Sequence, residues 1–103
     1  MKDMRQLVKQ AQKMQQEIAK VQEELAQETV EASAGGGVVK VVARGDLTID
    51  SVTISPDAVD PDDVEMLQDL VAAAVNEALR MAQELANEKM SQKTGSMGLP
   101  GLF

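Results

Sequence analysis

Any chemistry in this chain has to proceed without histidine or cysteine, because the 103 residues contain neither. That removes the commonest metal ligand, the usual general base near neutral pH, and every thiolate or disulfide. Ser33, Ser51 and Ser55 are candidate nucleophiles, but no histidine base is present to activate them. Lys40 falls in a short strand pattern that implies no pocket. The acidic run Asp57, Asp60, Asp62, Asp63 and Glu65 lacks the alternating oxygen ligands and central glycine of a calcium loop, and suits a helix start instead. The triplet Gly35-Gly36-Gly37 invites a phosphate-loop reading. Val38-Val39 follow it, however, where a Walker sequence needs Lys-Ser or Lys-Thr at the start of a helix. The triplet therefore reads as a turn in which glycine tolerates positive φ, and Arg44-Gly45-Asp46 reads as a second turn. These residues predict no enzyme, no cofactor and no metal site.

One set of charges is ordered. With Met4 at zero and about 100° per residue, Lys2, Arg5, Lys9, Lys13 and Lys20 all fall between roughly 100° and 180° of a helical wheel. Met4, Leu7, Ala11, Met14, Ile18, Val21 and Leu25 fall between roughly 260° and 360° on the same wheel, forming an apolar seam opposite the cations. Among the acids of this segment only Glu23 shares the basic sector. A stripe of one sign suits contact with a phosphate backbone, which attracts cations whatever the base sequence. The net charge of −7 runs against such a partner, but it is unevenly placed. Residues 1–44 carry seven Lys and Arg against six Asp and Glu, whereas residues 45–103 carry three against eleven. With one Phe, no Tyr and no Trp to stack on bases, sequence preference is expected to be low.

The elements that must position the stripe follow from periodicity. The seam spacing alternates three and four over residues 3–26, with Gln, Lys, Glu and Ala between, which predicts a long helix. From Glu28 the period falls to two, through Val30, Ala32 and Ala34, then Val39, Val41 and Ala43. A third strand is expected over 47–55, with a bulge near Asp50-Ser51 where its apolar phase changes. Asp60 as cap and Pro61 at the first helical position predict a second helix. Its face runs through Val64, Leu67, Val71, Ala74, Ala78, Met81 and Leu85, and it is expected to fray around Ser91. The fold class is thus α+β, ordered α-β-β-β-α, with a three-stranded antiparallel meander flanked by two long helices. Residues 1–92 are expected to form one dimerising domain and 93–103 a flexible tail rich in Gly and Pro.

Strands of about seven residues span only ~23 Å, far less than helices of this length. Both helices must overhang the sheet and leave seam positions bare in a single copy. A second copy is the simplest cover, predicting a homodimer with projecting helical arms. The charged N-terminus carries no apolar leader, and no stretch approaches the ~20 apolar residues of a membrane span, so a cytoplasmic protein without membrane contact is expected.

The stretches Gln10-Ala11-Gln12-Lys13-Met14-Gln15 and Val30-Glu31-Ala32-Ser33-Ala34-Gly35-Gly36-Gly37-Val38-Val39-Lys40-Val41 resemble the YbaB/EbfC family of bacterial nucleoid-associated proteins. Ile54-Ser55-Pro56, the pattern Leu67-x-Asp69-Leu70-x-x-Ala73-Ala74-x-Asn76-x-Ala78 and the Leu99-Pro100-Gly101 tail share that resemblance. It implies a non-enzymatic, tweezer-like dimer that binds DNA in the nucleoid and influences nucleoid organisation or gene expression. Carried onto this chain, the family's DNA contacts through helical arms fall on Arg5, Lys9 and Lys13, with Arg80 and Lys89 as further contacts. An alternative from a different class is a dimeric adaptor. Its acidic helix and Leu99–Phe103 tail would dock on a replication, repair or transcription protein. A holdase using exposed helical seams is a third reading.

Overall fold

The computed structural model describes residues 4–96. Helix α1 (Met4–Leu25) leads into strands β1 (Thr29–Ala34), β2 (Val39–Arg44) and β3 (Ile49–Ile54), then a 3₁₀ turn at Pro56–Ala58 and helix α2 (Val64–Ser96). The expected α-β-β-β-α order holds, and the strands form an antiparallel sheet in the order β1-β2-β3. Lys2 and the residues beyond Ser96, including the Leu99–Phe103 tail, lie outside the described residues.

Both hairpins turn on left-handed backbone. Gly35, Gly36 and Gly37 have φ of 64°, 74° and 96°, a run that side chains resist. In the second turn the left-handed residue is Leu47 at φ 68°, not Gly45. Gly45 serves close packing: a Cβ there would lie 2.7 Å from Leu25 Cδ2 and 2.9 Å from the Leu25 carbonyl oxygen. The bulge falls where the phase change put it. Val42 pairs with Ser51 and Ala43 with Ile49, leaving Asp50 as the additional residue and bringing Ile49 opposite Ala43.

Two boundaries differ from expectation. Asp60 and Pro61 do not open α2. The Asp60 carboxylate accepts from the Asp62 N–H at 2.9 Å in a local turn, and Asp63 caps the helix by accepting from the Met66 N–H at 3.2 Å. The sequence offers two cap-like aspartates three residues apart, and the turn takes the first. α2 also continues past Ser91 to Ser96, so the start assigned to the tail is helical.

The core is built of small side chains. Val39, Val41 and Ala43 of β2 and Ala32 of β1 pack on Ala74, Ala78 and Ala82 of α2, with Leu67, Leu70, Val71 and Val75 around them. Alanine along the helix lets it approach the sheet closely, at the expense of apolar area buried per residue. Cross-strand register puts Ala32, Val41 and Val52 in one row, and Ala34, Val39 and Ile54 in another. α2 lies across β1 and β2 and touches β3 little. Ile49, Val52 and Ile54 therefore stay exposed beside it, as do Val59, Val64 and Met66 on the connection and at the start of the helix.

Candidate nucleic-acid interface

α1 is anchored only at its C-terminal end. Val21 and Leu25 are its two buried residues, and the chain then turns into β1 through the Ala26 N–H to Gln22 carbonyl and Glu28 N–H to Glu24 carbonyl bonds. The Gly45 N–H donates to the Glu28 carbonyl at 2.9 Å, tying the second hairpin to the same joint. Lys89 of α2 adds a third tie. Its ammonium reaches Glu24 at 3.1 Å and Glu28 at 2.9 Å with the side chain only 23 % exposed. Hydrogen bonds to Glu28 first and Glu24 second raise the Lys89 pKa above the usual lysine value.

Away from this joint α1 stands clear. Met4 is 70 % exposed and Leu7 62 %, and exposure on the seam falls to 38 % at Ile18 before Val21 is sealed. The molecule measures 73 Å in its longest dimension. At 1.5 Å per residue α2 accounts for only about 50 Å of that, so α1 extends past it as an arm.

Arg5, Lys9 and Lys13 all lie exposed on that arm. Between Met4 and Gln16 there is no acidic residue, and the first turn carries none. The helix's acids, Glu17, Glu23 and Glu24, gather toward the joint. Lys20 is exposed but shares a shallow surface with Glu23 and Glu24, one turn on, which offset its field. The fold thus splits the predicted stripe: residues 4–16 carry cations without acids, and the anchored end is mixed.

The two further cations are engaged elsewhere. Arg80 is clamped along α2 by Glu77 at 2.6 Å and Glu84 at 2.7 Å. Its hydrogen bond to Glu77 raises the Arg80 pKa further and holds the Glu77 carboxyl below the ordinary carboxylate range. Lys89 is held at the joint. Neither adds net positive charge to the arm's surface. Among the described residues no group of three or more Asp and Glu is placed to hold a metal ion, and no helix is long and apolar enough to cross a membrane.

The YbaB/EbfC DNA-binding family matches residues 1–97, nearly the whole chain. The chain belongs to this family. Like-named relatives agree across most of both lengths. A nucleoid-associated protein of Acetivibrio thermocellus is 63% identical over 98 residues, covering 94% of this chain and 87% of that protein. One from Desulforamulus reducens is 60% identical over 98% of this chain and 96% of its own length, and one from Chloroflexus aurantiacus 57% over 96% and 97%. The crystal structure of an uncharacterized protein from Helicobacter pylori superposes with a TM-score of 0.81 over 91% of this chain and 99% of its own, at 20% identity. That likeness concerns the fold. In this YbaB/EbfC member the open apolar face at Ile49, Val52 and Ile54 is the feature that reading the sequence alone missed. Its signal was present, since three strands are wider than one helix can cover.

Proposed function

We propose that this protein is a homodimeric, non-enzymatic nucleoid-associated protein that grips DNA phosphates with the free ends of its α1 arms. It has little preference for sequence and acts in the nucleoid, hence in the cytoplasm, on DNA organisation or gene expression. The observation that carries this reading is the arm itself, where Arg5, Lys9 and Lys13 project from a stretch without a single acid. Lys20, and Lys2 by its place on the helical wheel, belong to the same stripe, and Arg80 and Lys89, each held in ion pairs with two glutamates, are secondary candidates. Family membership supports DNA as the partner, and the names of the relatives support the nucleoid as the place.

The homodimer is supported by the open face beside α2. Ile49, Val52 and Ile54 form an exposed apolar row along the edge strand that a second copy can cover with its own. A dimer doubles the cationic arms, which multiplies weak phosphate contacts into useful affinity. Side chains that reach only phosphates carry no base information, which accounts for the low specificity.

The test is a salt-titrated mobility shift on a duplex of random sequence. Lys9→Glu/Lys13→Glu should abolish the shift. The neutral Lys9→Gln/Lys13→Gln chain, lacking four cations per dimer, should flatten the slope of log K against log salt by roughly 3 to 4. Wild-type affinity in the doubly substituted protein would remove the stripe from consideration. Loss of all wild-type binding near physiological salt would favour the adaptor reading, in which the acidic second half docks on a replication, repair or transcription protein.

A further inference from the structure

The face of the α1 arm opposite its cations has no partner within the chain. Met4, Leu7, Ala11 and Ile18 are exposed and Met14 is half-buried, yet they continue without a break the spacing that buries Val21 and Leu25. The patch beside β3 lies on a different element, so the two apolar surfaces are separate places for a second copy. The geometry points to a second copy of the same arm as its occupant: two α1 arms pair through Met4, Leu7, Ala11, Met14 and Ile18, joining one molecule to another.

Three features select that occupant. The apolar stripe keeps a strict three-four spacing, the narrow seam of paired helices rather than the broad face of a helix lying on a sheet or bilayer. Over residues 4–18 its flanks are Val8, Gln10, Gln15 and Glu17, and Asp3 precedes Met4 at the seam's edge on the same wheel. The borders thus hold two acids per copy, well apart along the helix, and no facing cations. Arg5, Lys9 and Lys13 lie on the far side of the helix. An anionic membrane would need cations bordering the apolar stripe, where they can snorkel to the headgroups. Here a membrane seated on the seam would have them pointing away. Paired arms instead present their cationic faces outward, available to two DNA segments or to neighbouring sites on one.

The seam is short, and Ala11 at its centre adds little area. A few hundred Å² per arm is below what a stable interface buries. Pairing is therefore weak in dilute solution and strong where molecules are concentrated, as they would be along DNA. That last step rests on the DNA-binding reading; the arm contact does not.

The absence of cysteine makes the experiment clean. Full-length Ala11→Cys protein, concentrated and oxidised by a mild oxidant, should form disulfide-linked pairs of protomers about tenfold faster than Gln16→Cys, whose thiol sits on the cationic face. Adding Met4→Gln/Leu7→Gln, at two exposed positions that leave folding intact, should bring Ala11→Cys down to the Gln16→Cys rate. Long duplex DNA should raise the yield. Linking of Ala11→Cys no faster than Gln16→Cys, with or without DNA, would overturn the arm contact. Fast linking that ignores DNA would uphold the contact and count against the DNA-binding reading alone.

Discussion

At the scale of single residues, the glycines divide by the reason each is needed. Gly36 has φ 74° and open space around it, so Gly36→Ala meets only the left-handed backbone penalty, about 1 kcal/mol. At Gly35 a Cβ would also press on Val38 Cγ2 at 2.8 Å. Gly45→Ala would collide with the Leu25 backbone at the arm's joint, which costs about 1–3 kcal/mol of overpacking. Denaturant unfolding should rank Gly36→Ala as the mildest and Gly45→Ala as the one that also loosens the arm. Lys89 offers a pH test. Its pKa is raised by Glu28 and Glu24, so its contribution is complete below the ordinary lysine value and fades as pH rises through the higher folded value. Lys89→Met should lower the thermal midpoint at neutral pH and remove that alkaline dependence, yet leave the salt slope of DNA binding unchanged. A reduced slope would make Lys89 a DNA contact after all.

Within elements, the helix termini and the edge strand carry the decisions. Two aspartates competed to start α2, and only Asp63 aims its carboxylate at the Met66 N–H. Asp63→Ala should cost about 1 kcal/mol, the usual value of a cap. Asp60→Ala should cost less, since it loses only one bond in an exposed turn. Equal losses in thermal unfolding would put the helix start back at Asp60. In β3, Arg44 reaches the bulged Asp50 from the neighbouring strand, so the additional residue gains a charged partner on an exposed edge. Charge at an edge strand also discourages unwanted pairing with other chains.

For the molecule as a whole, the balance between a small-residue core and two bare apolar surfaces decides the behaviour. Alanine- and valine-rich packing buries little area per residue, so the proposed dimer contact on the face beside β3 would add apolar burial that the single chain lacks. Val52→Lys would place a charge in that contact. A buried unpaired charge costs several kcal/mol, enough to raise the dimer dissociation constant more than about a hundredfold. If the proposed dimer forms through this face, light scattering should then show Val52→Lys as a monomer at concentrations where the wild type scatters as a dimer. The wild-type melting temperature should rise with protein concentration while that of Val52→Lys stays flat. If both proteins scatter as dimers, the contact lies elsewhere.

What the sequence determined by itself was whatever depends on neighbours along the chain. Seam spacing, alternating strands, the glycine turn and the bulge at Asp50 are local patterns of 3.6 or two residues, and they set the element order. The cationic stripe was equally legible, because a helical wheel needs no partner. Tertiary structure alone decided which apolar positions are covered and which charges are used. One helix is narrower than three strands, so α2 seals β1 and β2 and leaves Ile49, Val52 and Ile54 open. Lys89 meets Glu28 across 61 positions of sequence, a contact that exists only once both helices leave the sheet at the same end. That joint separates a mixed-charge base from residues 4–16, where the stripe's cations stand without acids.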